Sequence, residues 1–570
     1  PAPSIPPSSA DPRPSPAAGH GEASERSRDT RKPLHSKHAA RGREAGRAYV
    51  WVSSVAMAAI LLMVTIMIAV VIQNGVRVFW PAKLALFSLR DNTVVMGEVM
   101  QWEKKPDGGG RRVRLKIGNR DLYGLDFRWV DGDAIAATAF PAEALSLERR
   151  EYGNFYGFLK SVNAPELSGN APSDLVPRLL ADWRRVRTEM KEQDRTQSQI
   201  NQVNRQVEGV RQHLLRLRYR GVEDDNPRVR ELLAEDAELK QRFTRLVDLQ
   251  NQSVVRLRAV TATFIDAAGT EKTMALADLV RIYRPNDMSL AAKCGFYVAK
   301  VGELLTAEPR ESNTEGGLFP AIVGTVMMVF LMSIFSFPLG VITAIYLREY
   351  AREGLVVQLV RIAVNNLAGI PSIVYGIFGL GFFVYGVGGG LDRVFFPERL
   401  PTPTFGSGGI LWASLTLALL TVPVVIVATE EALGAIPSGI REGSLALGAT
   451  KLQTLVRLLV PMASPGILTG FILAMARAAG EVAPLMITGV VKMAPALPLD
   501  GQFPFVHLDR KFMHLGFHIY DIGFQSPNVE AAKPMVFITT LLLLLIVLAM
   551  SSTAIWLRNQ MRKRYTLGSF

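Results

Sequence analysis

The chain alternates between two textures along its 570 residues. Long apolar runs lie at about 50–72, 318–347, 355–386, 409–429, 463–491 and 535–557. Each is long enough to read as a membrane-crossing helix, so the pattern predicts six spans. The second and third runs have length to spare for tilt or re-entrant backbone. Between the first two runs the texture changes. From Thr93 to Val162 and from Val254 to Tyr283, short alternating stretches such as VRLKI (Val113–Ile117) and VRLRAVTATF (Val255–Phe264) predict strands. Asp107-Gly108-Gly109-Gly110 predicts a turn between two of them. Inside this region Ile200, Val203, Val207, Val210, Leu214 and Leu217 are spaced 3, 4, 3, 4, 3, which is a coiled-coil seam. Gly221 to Pro227 breaks the seam, and Leu232, Leu239, Phe243 and Leu246 begin another. The economical arrangement is an antiparallel helical hairpin at about 180–258, set into a small β domain at 74–315. The hairpin would act as an arm toward a partner or as a rigid spacer.

Composition and charge sharpen this outline. Hydrophobic residues make up 49% of the chain and are concentrated in the runs. The net charge of +13 does not imply nucleic acid, because basic residues crowd the flanks of the spans. Arg41, Arg43 and Arg47 precede the first span; Arg558, Arg562, Lys563 and Arg564 follow the last. By the positive-inside rule both termini are cytoplasmic, which an even number of spans allows. Residues 73–315 are then extracytoplasmic, and the turn from Arg348 to Gly354 is cytoplasmic. Residues 1–48, rich in Pro, Ser, Ala and Arg, are expected to be a disordered basic cytoplasmic tail. The first span, at 49–73, lies too far along the chain and runs too long for a cleaved signal peptide. Residues 558–570 form a cytoplasmic C-terminal tail. The single cysteine, Cys294, excludes an internal disulfide and a thiolate metal cluster.

The polar segment from Glu430 to Pro461, held between two apolar runs, carries the most specific pattern. Ile440, Leu445, Leu447, Leu452, Leu455 and Leu459 recur at roughly helical spacing. Gly443, Ser444, Ala446, Gly448 and Ala449 make a patch of small residues, and Pro461 is expected to end the helix before the next apolar run. Glu442, Gly443 and Ser444, with Gly448 six residues after Glu442 and then Leu458-Leu459-Val460-Pro461, resemble the coupling loop of ABC importer permeases. Two further strings narrow the likeness. They are Asn365-Asn366-Leu367-Ala368-Gly369-Ile370-Pro371-Ser372 and Ala476-Arg477-Ala478-Ala479-Gly480-Glu481-Val482-Ala483-Pro484-Leu485. With these, residues 318–557 resemble the phosphate ABC transporter permease family, PstA, in a form with a long N-terminus. The resemblance implies an all-α integral membrane permease of the ABC importer type, with six transmembrane helices. The permease domain is expected at 316–557, with its coupling loop at 430–461. The extracytoplasmic α+β insert containing the coiled-coil hairpin is an addition to the short family form. The resemblance also implies a bacterial inner-membrane location and three kinds of protein partner. These are a PstC-like second permease, a PstB-like ATPase dimer and a PstS-like extracytoplasmic phosphate-binding protein, within a lipid bilayer.

The candidate chemistry follows from charge in apolar surroundings. Arg477 and Glu481 stand four residues apart in the fifth run, on one helical face unless Gly480 begins a break in the helix. Ionisable groups in a span are costly and mark pathways, and a planar guanidinium suits a tetrahedral oxyanion. The pair is either a structural lock or part of the substrate pathway. Arg361 with Asn365 and Asn366 forms a second polar face, for the oxyanion or for hydrogen bonds between helices. Pro371-Ser372 is expected to kink the third helix. Glu442, Gly443, Ser444, Gly448 and Pro461 are the expected ATPase-coupling residues. His507, His514 and His518 share the loop at 492–533; His514 and His518 have i, i+4 spacing but no HExxH motif, so no metal is expected. His518-Ile519-Tyr520, followed by Pro527, reads more simply as packing or binding-protein contact. The sequence contains no GxxxxGK[ST] string, so the subunit is expected to be non-catalytic, with ATP used by a partner and no cofactor of its own. Other readings are a permease for sulfate or molybdate, and a membrane sensor or scaffold in phosphate signalling.

Overall fold

A computed structural model describes residues 35–105, 108–163, 175–501, 505–526 and 528–565. Residues 1–34 of the expected tail, Asp107 of the expected turn, Pro527 and residues 566–570 lie outside the described residues. The first helix, His35–Arg77, begins before the expected boundary at 49, so the expectation of a disordered segment does not hold for the backbone from His35 onward. The described residues up to Ile68 form one unit and those from Ala69 onward another. Within the first, the described apolar side chains, such as Trp51, Leu61 and Ile66, are exposed.

The second unit holds the insert and the remaining spans. Among the described residues the insert holds two sheets of five strands each, and a two-residue pair, Pro309–Arg310 with Glu315–Gly316, closes it. The strands of the two sheets are β1 (Leu84–Leu89), β2 (Val94–Lys104), β3 (Arg111–Lys116), β4 (Phe127–Asp131), β5 (Ile135–Ala139), β6 (Leu145–Arg149), β7 (Asn154–Asn163), β8 (Thr261–Ile265), β9 (Glu271–Ala275) and β10 (Leu279–Tyr283). The sheet orders are β4-β3-β2-β1-β5 and β10-β6-β7-β8-β9, with antiparallel pairing such as Leu86 opposite Met96. Alternate residues go inward, as the pleat requires: Val113 and Leu115 of β3 are fully buried. Leu84, Met96, Ala144 and Tyr156 form a small core that takes side chains from both sheets.

Two long helices, Leu175–Tyr219 and Pro227–Ala259, leave the second sheet from β7 and return to it at β8. Asn226 caps the second by accepting from the Arg228 N–H, with Pro227 at its first position. Ile200, Val203, Val210 and Leu214 are buried along their contact. Leu179, Val186 and Leu257 pack at the base with Phe155 and Phe264 of the sheet. The stretch Val255–Ala259, expected in a strand, is the end of the second helix. Leu257 explains the difference: it is 3% exposed and belongs to the helix face that fills the base. Near the hairpin's far end, Arg216 pairs with Glu398 at 2.9 Å and Arg399 donates to Gln212 at 2.5 Å. That end therefore rests on this chain's own loop between the third and fourth spans.

Six helices among the described residues are long and apolar enough to cross a membrane: Tyr49–Arg77, Phe319–Tyr350, Ser372–Phe395, Ile410–Gly434, Lys451–Gly480 and Val529–Met561. The fourth is central: 67% of its apolar window is buried, and it packs with the second span and with Ala478 and Leu485. The third apolar run is not one helix. Leu355–Leu367 stops, and the span begins at Ser372, because Pro371 has no N–H to donate and disfavours helical backbone at Ile370. The fifth span begins inside the expected loop, where Thr450 and Gln453 form a reciprocal capping box. Pro461 does not end that helix. A wide turn at Leu455–Leu459 precedes it, and such a bulge lets a helix continue through a residue lacking a donor. The helix ends instead at Gly480. The last helix extends from Val529 to Tyr565, past the expected limit at 557.

Candidate functional site: a coupling loop and a helix break

The polar loop after the fourth span folds as a short helix, Ser438–Ala446, followed by a tight reversal. Gly448 sits at φ +85°, a left-handed conformation that costs a residue with a Cβ about 1–2 kcal/mol. The Ala449 N–H then closes onto the Ser444 carbonyl at 3.2 Å, which satisfies a helix end in the Schellman manner. The glycine at the sixth place after Glu442 thus has a backbone reason. Ser444 and Thr454 hydroxyls meet at 2.9 Å and tie the loop helix to the fifth span.

The apolar residues of this loop divide between two faces. Ile440, Leu455 and Leu459 pack with Leu433, Ile436 and Ile467 against the second span. Leu445, Leu447 and Leu452 are 42%, 91% and 61% exposed. Glu442 and Gly443 are exposed beside them. The loop therefore presents an apolar and small-residue tip on a well-packed base. Pro461 is half-buried in the helix behind it.

The anchor of this loop is Arg441, which motif reading passed over. Its guanidinium donates to Glu349 Oε1 at 3.1 and 3.0 Å, to the Ile436 carbonyl at 2.9 Å and to the Leu433 carbonyl at 2.6 Å. Glu349 lies at the end of the second span and the carbonyls at the end of the fourth. A cation at a helix C-terminus is favoured by the dipole and by the unpaired carbonyls there. The only hint in the sequence was a basic residue beside Glu442, which periodicity cannot distinguish from a solvated one.

Arg361 lies in this same part of the molecule. Its Nε is 3.6 Å from Glu430 Oε1, and it donates to the Leu347 carbonyl at 3.3 Å. Asn365 and Asn366 are on the same short helix and are exposed. No hydrogen bond or ion pair joins these three residues to Arg477 or Glu481 among the described residues.

Arg477 and Glu481 sit at the other end of the fifth span. The expectation that both lie on one helical face is corrected: the helix stops at Gly480 and Glu481 is extended, with ψ 135°. The pair forms across the break, Arg477 Nε to Glu481 Oε1 at 3.5 Å, with side chains 39% and 20% exposed. A short helix, Ala483–Thr488, follows and packs on the start of the third span. There a Cβ on Gly376 would come within 2.8 Å of Pro484 Cα, so glycine permits the approach. The Tyr375 hydroxyl donates to the Leu367 carbonyl at 2.7 Å and ties together the two sides of the break before Ser372. The two sequence strings around Pro371 and Glu481 thus meet at one place, each with an interrupted helix. Interrupted helices in a membrane are tolerated where the freed backbone lines protein or a cavity.

His514 and His518 are buried. His514 Nδ1 accepts from the Gly516 and Phe517 N–H groups at 3.1 and 3.3 Å. His518 Nδ1 lies 3.4 Å from the Thr539 hydroxyl. Burial pushes both imidazoles down to about 4. His507 is apart from them, against Asp500 at 3.0 Å.

Residues 336–563 match the family described as the binding-protein-dependent transport system inner membrane component. The probable phosphate transport system permease protein PstA of Methanocaldococcus jannaschii is 33% identical over 221 residues, which are 38% of this chain and 67% of that protein. The phosphate transport system permease protein PstA of Yersinia pestis is 34% identical over 246 residues, 42% of this chain and 74% of that protein. Among solved structures, an inward-facing MetNI methionine ABC transporter is 20% identical, with a TM-score of 0.32, covering 43% of this chain and 95% of that one. The chain belongs to the PstA family of phosphate transport system permeases and is the permease subunit of an ABC importer.

Proposed function

We propose that this subunit carries inorganic phosphate across a bacterial inner membrane, with Arg477 offering the cationic hydrogen bonds that receive the anion. The observation that carries the reading is the state of Arg477. It is a guanidinium at the end of an apolar span, with one carboxylate contact at 3.5 Å and a side chain 39% exposed. Unused N–H donors in a planar fork suit phosphate oxygens. Glu481, across the break, holds the fork in place and gates it. Its likeness to phosphate transport system permeases supports phosphate over sulfate or molybdate.

The fifth span supplies the mechanical link. It runs for 30 residues from Lys451, in the coupling loop, to Gly480, beside Arg477, which is about 45 Å of continuous helix. Closure of a PstB-like ATPase dimer on the exposed tip around Leu447 would move one end, and the helix break would respond at the other. Glu442, Gly443, Ser444 and Gly448 form or shape that tip, and Pro461 lies within the transmitting helix. Arg361 acts near the coupling end, against Glu430, and Asn365 and Asn366 face a PstC-like second permease. Both termini are cytoplasmic and the insert, with its hairpin, faces the PstS-like binding protein outside.

The test is ATP-driven uptake of labelled phosphate into proteoliposomes holding the assembled transporter and its binding protein. Phosphate accumulation that excess unlabelled sulfate and molybdate do not reduce supports the reading. ATP hydrolysis without phosphate accumulation, or accumulation abolished by sulfate, overturns the substrate.

A further inference from the structure

The helix Leu290–Thr306, between the β sheets and the second span, has two faces of opposite chemistry. Toward the sheets it is fully engaged. Phe296 packs on Tyr283 with ring centroids 4.7 Å apart, and Arg281 lies 5.0 Å over Phe296. Lys300 pairs with Glu148 at 2.6 Å, and Glu303 pairs with Arg281 at 3.0 Å and with Arg310 at 2.8 Å. Its charged residues, Lys293, Lys300 and Glu303, are all half-buried on this side.

The opposite face holds Ala291, Cys294, Gly295, Val298, Gly302 and Leu305, all exposed and none charged. Their spacing of three and four places them on one stripe. Val298 is 69% exposed and Leu305 41%. The hairpin differs, since its exposed positions include Arg205, Glu208 and Arg211, as a face in water ordinarily does.

The position of the helix identifies what covers the uncharged face. Leu304 is buried in one cluster with Leu318, Ile322 and Met535, near the ends of the second and sixth spans, and with Ile538 and Leu542 further along the sixth. Trp80, just past the first span, has its ring 6.4 Å from Tyr297. The helix therefore lies at the level where the spans emerge, flanked by Trp and Tyr, the residues that favour a membrane interface. We infer that Leu290–Thr306 lies on the bilayer surface, with its uncharged face against lipid and its charged face holding the β sheets. Interfacial helices of this kind bind through apolar area on one face. The inference is independent of which anion is carried.

Cys294, the single cysteine of the chain, lies on this face and is exposed. An environment-sensitive fluorophore on Cys294 is read in the full chain in nanodiscs, alone and assembled with cysteine-free partner subunits. Lipid-borne doxyl groups and aqueous iodide serve as quenchers. The reference is the same fluorophore on Gln206→Cys in a Cys294→Ser background, on the exposed hairpin. The expected result, with and without partners, is several-fold stronger lipid quenching and several-fold weaker iodide quenching at position 294 than at 206. Iodide quenching equal to that at 206 overturns the inference, because the face then meets water. Loss of lipid quenching only on assembly also overturns it, because the face then meets a protein.

Discussion

Arg441 and Arg477 both pair with a glutamate at the end of a span, and their surroundings could hardly differ more. Arg441 reaches Glu349 and two helix-terminal carbonyls, and its side chain is 21% exposed. Arg477 has one carboxylate at 3.5 Å and is 39% exposed. An arginine whose donors are consumed by protein fixes structure. One whose donors are left over, beside interrupted helices, is free to bind an anion. With Arg477 in its proposed role, the pattern of acceptors, rather than the presence of an ion pair, separates an anchor from a pathway residue.

The largest expected effect on transport is at the open pair. Arg477→Ala should lower phosphate transport about a hundredfold, by losing roughly 2–3 kcal/mol of charged hydrogen bonding, while the complex still assembles. Arg477→Lys should recover little, because an ammonium lacks the fork. Uptake rates beside size-exclusion profiles check both. If the alanine variant fails to assemble, Arg477 is an anchor too and the comparison breaks.

Next comes the saturated pair. Arg441→Ala leaves Glu349 and two carbonyls without their donor, a loss of about 3 kcal/mol for a half-buried pair. Retention of the ATPase subunit on purification should fall sharply. Glu349→Gln, which still accepts, should be milder.

Acid should act elsewhere, through the histidines between the fifth and sixth spans. His514 and His518 are held near 4 by burial, against 6.5 for the free group. The unfolded chain then binds more protons than the folded one between those values, so stability is full above 6.5 and falls as pH drops toward 4. The loss per histidine is about 3 kcal/mol at the limit. Thermal unfolding followed across this window should show it, and His514→Asn should roughly halve it. A flat profile in the wild type would contradict the burial of neutral imidazoles at these positions.

The smallest effect sharpens the coupling end. Gly448→Ala should cost about 1–2 kcal/mol through its left-handed backbone, without touching Arg441. It should weaken ATPase docking in proportion, measured by the concentration of ATPase subunit needed for half-maximal assembly.

Much of this was legible in the sequence, for identifiable reasons. Apolar runs and the coupling pattern are local signals, so the spans and Gly448 could be read from spacing. Val207 and Leu217 likewise belong to a seam that repeats along one helix. The strand at Val255–Ala259 was misread because Leu257 alternates and also sits on a helix face, and only the hairpin's base decides between them. Arg441 was missed because its acceptors come from residues 349, 433 and 436, brought together by folding. Gly480 could be named as a possible break but not decided, since an apolar span with a glycine reads the same whether or not it stops. The helix Leu290–Thr306 was hidden for a similar reason, because its two faces take their meaning from the sheets and the spans on either side.

The central claim is tested most directly by phosphate carried per ATP hydrolysed in proteoliposomes, with Arg477→Ala and Arg441→Ala measured side by side. The account predicts that Arg477→Ala keeps its ATPase subunit and hydrolyses ATP while the ratio falls toward zero. It predicts that Arg441→Ala loses hydrolysis and transport together, with the ratio of the residual activity unchanged. An Arg477→Ala transporter that carries phosphate at the wild-type ratio would contradict the account.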